Sequence, residues 1–304
     1  RITIKLDNAG TNQTIWSEKF EASKNDLWEL EETLASSVAF QIVGQVETDE
    51  IRSAAKKPPQ DAKAYDLVLQ GLKHHRSSVT SYDDAKKAYS FFSKAHELEP
   101  DYPRAIAWKV CSMANYQNWE PSAFSDNWLN EAVQLIERAL EIDPDDAEAN
   151  RIMGSMQRAK GNFDLSITHH KHAAELCPSD LYISSKLCEV LMYDGRLEEA
   201  ENELNRAKEI NPTGSDQLLQ IEGTLKFWQE DFAVCKAFLS EIRIPSPMTL
   251  LFLAAAEFYI GNKKAAKKIV AKIENDYCIT IQRLFSGESY RLDDMKAKFA
   301  PLFP

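Results

Sequence analysis

The chain has 304 residues, of which 44% are hydrophobic while only 10 are glycine and 12 are proline, a composition typical of folded proteins that excludes disordered and fibrous classes. Its 47 acidic and 36 basic residues give a formal net charge of −11, which argues against binding a nucleic-acid backbone, since that requires a basic face. The sequence contains no apolar run long enough to span a membrane.

The amino-terminal segment, residues 1–56, has the pattern of a small α/β unit. Apolar and polar residues alternate over 1–7, which predicts a half-buried strand, and 14–20 predicts the returning strand of a hairpin. Asn25 or Asp26 can cap a long amphipathic helix that follows. Because a hairpin and one helix rarely fold unaided, we expect this segment to be the carboxyl-terminal part of an α/β domain that begins upstream.

One six-residue phrase recurs along the rest of the chain. It reads Ala, any residue, Glu, Leu or Ile, any residue, Pro, and its four copies begin at Ala95, Ala139, Ala173 and Ala207. The last three copies are 34 residues apart. A small residue is needed where two helices cross closely, and the proline stops the helix because it lacks an amide donor. The phrase therefore predicts the end of the second helix in a repeating helical hairpin.

The phrase and its period resemble the tetratricopeptide repeat. In one unit Gly154, Ala173 and Pro178 fit the small, alanine and proline positions of that repeat, whereas Ser166 and His170 replace its usual alanine and aromatic residue. The resemblance implies a mostly α-helical superhelix of stacked helical hairpins. It also implies that the chain binds a protein or peptide partner in the concave groove of that superhelix, its own upstream domain being one such partner. Self-association is a further alternative.

The resemblance and the breaks in the pattern divide the chain into four parts. After the α/β segment we expect a linker at 57–61, about six repeats over 62–276, and a helical cap over 277–304 that covers the outer face of the last repeat. The first two units carry extra residues around 77–81 and 118–126, which predict longer loops between their helices. The aromatic anchors expected in the cap are Phe285, Tyr290 and Phe299.

The first helix of each repeat is expected to line the groove. The residues at its groove-facing positions are cationic or aromatic, types that often dominate the binding energy of interfaces. They are Arg151, Arg158, Tyr182, Lys186, Tyr193, Lys226, Phe227, Phe258 and Tyr259. Spaced cations favour an acidic or carboxylate-ended peptide. The alternative is that the aromatic residues pack between repeats while the cations form solvated ion pairs.

Sequence motifs of catalysis are absent, and we expect no catalytic, cofactor or metal site in this chain. There is no glycine-rich phosphate loop and no nucleophile elbow. His169 and His172 lie one helical turn apart, but two ligands make an incomplete metal site, so a metal-dependent enzyme is the less favoured alternative. His170 is expected to pack against the neighbouring helix. His74 and His75 end a helix and are expected to interact with its carbonyl end.

Cysteine spacing gives a further restriction. The five cysteines form no metal-like pair and no disulfide framework, so we expect buried thiols. They are Cys111, Cys177, Cys188, Cys235 and Cys278. Reduced surroundings fit this pattern best, although an oxidising compartment stays open.

The order of segments is similar to that of bacterial multidomain signalling proteins in which a TolB-like α/β domain precedes tetratricopeptide repeats. The stretches that carry this similarity are RITIKLD at 1–7, WSEKF at 16–20, DLWELEETL at 26–34 and AYDLVLQG at 64–71. In that family the amino-terminal module is commonly a class III adenylate or guanylate cyclase domain, and in other members a winged-helix DNA-binding domain. The resemblance implies a non-catalytic regulatory region of a cyclase-type protein, with the effector-sensing region of a transcriptional regulator as the alternative.

The start of the chain agrees with such an origin. Arg1 lies inside a strand pattern, so we expect a piece of a longer protein whose catalytic domain, if it is a cyclase, precedes Arg1. The compartment then depends on the missing part. It is cytoplasmic, or periplasmic if a membrane span lies upstream.

Overall fold

The structure is a computed structural model that describes residues 2–8, 13–20, 46, 50, 51, 54, 62–178, 180–210, 215–277, 279–286, 290, 291 and 293–302. Its strands are β1 (Ile2–Asn8) and β2 (Gln13–Phe20). Its α-helices are α1 (Ala64–His75), α2 (Tyr82–Leu98), α3 (Pro103–Trp119), α4 (Trp128–Ile142), α5 (Ala147–Ala159), α6 (Phe163–Leu176), α7 (Leu181–Tyr193), α8 (Leu197–Ile210), α9 (Asp216–Trp228), α10 (Phe232–Ser240), α11 (Pro247–Tyr259), α12 (Lys263–Tyr277), α13 (Ile281–Ser286) and α14 (Asp293–Ala297). A 3₁₀ turn follows at Ala300–Leu302.

The amino-terminal strands form the predicted hairpin. β1 pairs with β2 in an antiparallel ladder in which Ile2 lies opposite Phe20. The predicted turn between the strands and most of the predicted helix after Asn25 lie outside the described residues. Two helical positions of that segment, Ile51 and Ala54, are buried, and the carbonyl oxygen of Ala54 accepts a hydrogen bond from Gln70 Nε2 of α1 at 2.9 Å.

The helices α1 to α12 form helical hairpins in chain order, the first helix of each packing against the second. The alanines that begin the repeated phrase, Ala95, Ala139, Ala173 and Ala207, are all buried in these hairpins. Three hairpins also place a glycine of the first helix against a large side chain of the second. A Cβ at Gly71, Gly154 or Gly223 would lie 2.5, 2.7 or 2.5 Å from Phe92, His170 or Leu239, respectively. The predicted mostly α architecture of stacked hairpins is confirmed.

Turn residues set the length of the connections inside the hairpins. Gly161 and Gly195 have φ angles of +80° and +81°, a left-handed conformation that glycine adopts without the strain of a Cβ. These glycines allow three-residue turns in the third and fourth hairpins. In the first two hairpins, residues 76–81 and 120–127 form longer loops between the helices, as predicted.

Side-chain caps fix the start of several helices. The Ser81 hydroxyl accepts from the Asp84 amide at 3.2 Å, and the Asp146 carboxylate accepts from the Ala149 amide at 2.6 Å. Such caps satisfy amides that have no partner within the helix. The sequence therefore specifies the helix boundaries on both sides, by caps at the start and by glycine or proline at the end.

The first helices of the hairpins, α1, α3, α5, α7, α9 and α11, form the inner layer. Each of them also contacts the first helix of the next hairpin, which is how a concave face arises in stacked helical repeats. One apolar core cluster runs from Phe163 to Phe299, so the carboxyl-terminal segment shares a core with the downstream hairpins. We call these six helices the inner helices.

Candidate binding groove

A buried arginine organises the part of the concave face formed by α3, α5 and α7. The Arg151 side chain is 2% exposed, and its guanidinium carbon lies 5.6 Å from the centre of the Trp108 ring and 4.9 Å from that of Tyr182. Its Nε donates to Glu148 Oε2 at 2.6 Å. Burial alone would lower the pKa of Arg151, but Glu148 and then Tyr182 outweigh it and the pKa is raised. Arg151 is therefore a permanent cation that holds the ring of Tyr182 in place.

The next turn of α7 adds a second set of charges. Lys186 Nζ lies 2.7 Å from Glu189 Oε2 and 5.7 Å from the centre of the Tyr182 ring. Arg158 lies over the Tyr193 ring at 5.0 Å, with one guanidinium nitrogen 3.9 Å from Glu189. Burial acts to raise the pKa of the Glu189 carboxyl, but the charges of Lys186 and then Arg158 outweigh it. The pKa is therefore lowered, and Glu189 is ionised at neutral pH. The pair of Lys186 and Glu189 is charged at neutral pH.

This region keeps accessible polar surface. Tyr182 is 37% exposed, and Lys186 and Glu189 are half-buried. We call the region the open groove. Its residues are His75, Cys111, Glu148, Arg151, Arg158, Tyr182, Lys186 and Glu189.

The downstream part of the concave face is covered by the chain's own carboxyl-terminal segment, whose described residues are 279–286, 290, 291 and 293–302 and which we call the tail. Phe299 is fully buried, and its ring is stacked on that of Phe227 with centres 5.2 Å apart and lies 5.2 Å from that of Phe252. Tyr290 packs on Tyr193 with ring centres 4.6 Å apart. The tail therefore completes the core over α7, α9 and α11.

Polar contacts fix the tail in one position. The amide of Arg291 donates to the carbonyl oxygen of Tyr193 at 3.0 Å, and its guanidinium contacts Asp194 at 2.8 Å and Asp164 at 3.1 Å. Lys298 forms an ion pair with Glu230. These groups lie at the turns between first and second helices, so the tail follows that edge of the inner layer.

One tail residue reaches the second hairpin of the array. Arg283 Nη2 donates to the carbonyl oxygen of Asn118 at 2.7 Å, a contact between residues 165 positions apart. Asn118 lies in the last turn of α3, in the second hairpin. The tail thus connects the last hairpin with the second one.

The predicted groove residues divide into two groups. Arg151, Arg158, Tyr182 and Lys186 meet in the open groove. The others lie downstream, where Tyr193 is buried under Tyr290, contrary to the prediction that it faces a partner. Phe227 does not line a surface either, since it is 0% exposed beneath Phe299.

The remaining predicted residues have partners within the chain. Lys226 Nζ donates to Gln229 Oε1 at 2.7 Å and lies 3.4 Å from Glu201. Phe258 lies 5.3 Å below the ammonium of Lys263. The Tyr259 hydroxyl donates to the carbonyl oxygen of Lys298 in the tail at 2.9 Å. The aromatic residues of the downstream hairpins thus serve packing, which was the alternative interpretation of the sequence.

The histidine pair considered for a metal does not converge on one point. His169 Nδ1 lies 3.1 Å from Asn150 Oδ1, whereas His172 faces Asp145 at 3.4 Å and Glu175 at 3.8 Å. Within the part of the chain that the structure describes, no group of three or more His, Cys, Asp or Glu side chains could hold a metal ion. In the same residues, no helix is long and apolar enough to cross a membrane.

Sequence reasoning missed one cluster in the open groove. His75 was expected to interact with the carbonyl end of α1, but its Nε2 lies 3.6 Å from Cys111 Sγ on α3. Cys111 also lies 3.8 Å from Arg151 Nη2 on α5. The only signal in the sequence is that these residues occupy successive inner helices, and it does not indicate which side chains touch.

The described residues therefore have a mostly α-helical repeat fold of tetratricopeptide type, preceded by a β-hairpin. No family model matches the sequence. Among curated proteins it is 26% identical over 113 residues to Protein O-mannosyl-transferase TMTC1 of mouse (Mus musculus), and equally to the human protein. The alignment covers 37% of this chain, and the chain spans about a tenth of the length of these relatives, 11% and 12%.

Solved structures show similar helical stacks. The human IFIT1 dimer with m7Gppp-AAAA superposes with a TM-score of 0.58 and 15% identity over 70% of this chain and 50% of that one. A thermophilic tetratricopeptide protein of Thermus thermophilus gives a TM-score of 0.46 and 22% identity over 53% of this chain and 89% of that one. At 15% identity, the likeness to IFIT1 shows the fold alone.

Proposed function

We propose that the chain is a protein-interaction module whose open groove holds an extended, acidic segment of a partner polypeptide. The observation that carries this proposal is Tyr182, a residue that is 37% exposed and whose ring lies 4.9 Å from the guanidinium of the buried Arg151 and 5.7 Å from the ammonium of Lys186. A rigid aromatic ring beside a cation is the kind of anchor that dominates interface energies. Because it is already held in position, little conformational entropy is lost when a partner binds.

The charges of the open groove favour an acidic segment. The cations there are Arg151, Arg158 and Lys186, and the carboxylates are Glu148 and Glu189. These residues leave a local excess of one positive charge in a chain whose net charge is −11. The ammonium of Lys186 has three donors, of which Glu189 accepts one. A carboxylate of the partner can therefore join this network by a charge-assisted hydrogen bond.

A peptide selection tests the groove. A display library of random peptides is selected on the wild-type chain, and the binders are measured against Tyr182→Ala and Lys186→Glu. We expect acidic peptides to be enriched and each substitution to weaken binding at least about tenfold, the loss typical of a hot-spot residue. The control is Lys171→Glu on α6, which removes an exposed ion pair with Glu199. Peptides without acidic residues, or equal binding by all variants, would contradict the proposal.

We also infer that the module regulates a cyclase-type signalling protein. This inference is supported by the order of segments in the sequence, with a TolB-like pattern in 1–56 followed by a repeat array. A non-catalytic array that binds a partner next to a catalytic domain can shift that domain between states of different activity.

An extended chain tests the regulatory role. The protein including the segment upstream of Arg1 is assayed with ATP and Mg²⁺ or Mn²⁺, alone and with a selected peptide. We expect the peptide to change the rate of cyclic nucleotide formation in the wild type and in Lys171→Glu. In Lys186→Glu the peptide should leave this rate unchanged. If the upstream segment is a basic winged helix and no nucleotide is turned over, the cyclase inference is refuted. The peptide-binding measurements test the proposal for the open groove independently of that result.

A further inference from the structure

A thiol, an imidazole and a guanidinium from three inner helices meet in the open groove. Cys111 Sγ on α3 lies 3.6 Å from His75 Nε2 on α1 and 3.8 Å from Arg151 Nη2 on α5. Cys111 and Cys177 are half-buried, contrary to the expectation of buried thiols, whereas Cys188 and Cys235 are buried. We propose that Cys111 is a nucleophilic, redox-modifiable thiol that a hydroperoxide oxidises to the sulfenic acid.

The surroundings of Cys111 favour the thiolate. His75 faces it from α1, Arg151 with its partner Glu148 faces it from α5, and Tyr182 of α7 lies beyond the guanidinium. Burial acts to raise the pKa of the Cys111 thiol, but His75 and then Arg151 outweigh it and lower the pKa to about 7. The same property makes cysteines beside histidine or arginine reactive in other proteins.

The oxidation follows from this geometry. His75 Nε2 takes the thiol proton, and the thiolate attacks one oxygen of the hydroperoxide. The sulfur–oxygen bond forms as the oxygen–oxygen bond breaks, and the leaving hydroxide or alkoxide receives a proton from the His75 imidazolium. With hydrogen peroxide the products are the sulfenic acid and water, so the sulfur is oxidised and the peroxide reduced. Because Cys111 touches Arg151, which holds Tyr182, the modification falls within the proposed binding surface.

The other cysteines among the described residues are internal controls. Burial raises the pKa of the Cys235 thiol to about 12, and burial followed by Asp180 raises that of Cys177. At pH 7 a thiol of pKa about 7 is half ionised, against about 1% for an ordinary thiol of pKa 9.0. Since thiolates of lower pKa are weaker nucleophiles, the net gain in rate at pH 7 is about fivefold.

The test measures each cysteine of the intact chain separately. Alkylation by iodoacetamide from pH 6 to 10 is followed by peptide mass spectrometry, and the sulfenic acid formed with hydrogen peroxide is trapped with dimedone. Among the described cysteines, we expect only Cys111 to have an alkylation rate whose pH midpoint lies near 7. We also expect a dimedone adduct on Cys111. His75→Gln should move the midpoint towards 9 and slow the reaction at pH 7 about fivefold. His74→Gln on the same helix, where His74 pairs with Asp84 at 2.7 Å, should change neither.

Two outcomes overturn the proposal. In the first, Cys111 of the wild type is alkylated with a pH midpoint near 9.0, the value of an ordinary thiol, or it gives no dimedone adduct. In the second, a folded His75→Gln chain, checked by circular dichroism, keeps the wild-type pH profile. The wild-type measurements need no substitution, so the proposal can be refuted even if the His75 variant fails to fold.

Discussion

His170 should make the protein sensitive to mild acid. Its side chain is 2% exposed and packs against Gly154 in the third hairpin. Burial is the main cause that lowers the pKa of His170, Arg151 adds to it, and the pKa falls to about 3. The imidazole is therefore neutral in the folded protein at any pH above this value.

The sign of the effect follows from proton binding. In the unfolded chain His170 has a pKa of about 6.5, so between pH 6.5 and about 3 the unfolded state binds more protons than the folded state. Stability is thus intact above pH 6.5 and is lost as the pH falls through this window. At pH 5 the pH lies 1.5 units below 6.5, which corresponds to a loss of about 2 kcal/mol of unfolding free energy.

Urea unfolding at pH 7 and pH 5, followed by circular dichroism, measures this loss. His170→Phe removes the titrating group and keeps an aromatic ring, so the variant should lose about 2 kcal/mol less than the wild type between the two pH values. The pKa of His169 is also lowered, by burial and then by His172. Because His169 is present in both proteins, its contribution to the pH dependence cancels when the two are compared. Thr168→Ala, a change of an exposed residue of α6 that does not titrate, is the control and should show the pH dependence of the wild type. An equal pH dependence in His170→Phe would refute the reasoning.

Three further substitutions test the packing of the array. Phe299→Ala removes a fully buried ring, at a cost of about 3–5 kcal/mol, and should expose the tail to limited proteolysis while the hairpins stay resistant. Glu148→Gln weakens the charge-assisted bond to the buried Arg151 and should lower the unfolding free energy by about 2 kcal/mol; an unchanged midpoint in urea would contradict that role. Gly161→Ala places a Cβ in open space at a φ of +80°, so its cost of about 1 kcal/mol, measured by thermal unfolding, reports backbone strain alone.

The hairpins were predictable from sequence because their signals are local. The alanines of the repeated phrase are needed where helices of one hairpin cross, and all four are buried. Gly161 and Gly195 mark two turns by residue type alone, because glycine adopts the left-handed conformation without the strain of a Cβ. His170 could also be placed, since it occupies a large-residue position and is buried against the first helix. The division into a domain at 1–56 and a repeat block at 62–276 stays a prediction.

The groove was predictable only in part because exposure depends on long-range contacts. The repeat register assigns Phe227 and Tyr182 to the same face, but it does not show that Phe299 returns to cover the former. The contact of Arg283 with Asn118 joins distant hairpins in the same way. Periodicity within a helix carries no information about where a tail of irregular sequence docks.

The tail also restricts what can bind. A partner that follows the whole concave face must displace Tyr290 and Phe299, and exposing two buried aromatic side chains costs about 3–6 kcal/mol. This cost weakens binding by roughly a hundredfold to ten-thousandfold relative to a partner confined to the open groove. Phe299→Ala should therefore strengthen the binding of long peptides and leave short acidic peptides that contact Tyr182 unaffected, as measured by fluorescence anisotropy. If both classes of peptide gained equally, the tail would not compete with a ligand, and the open groove would not be a separate binding surface.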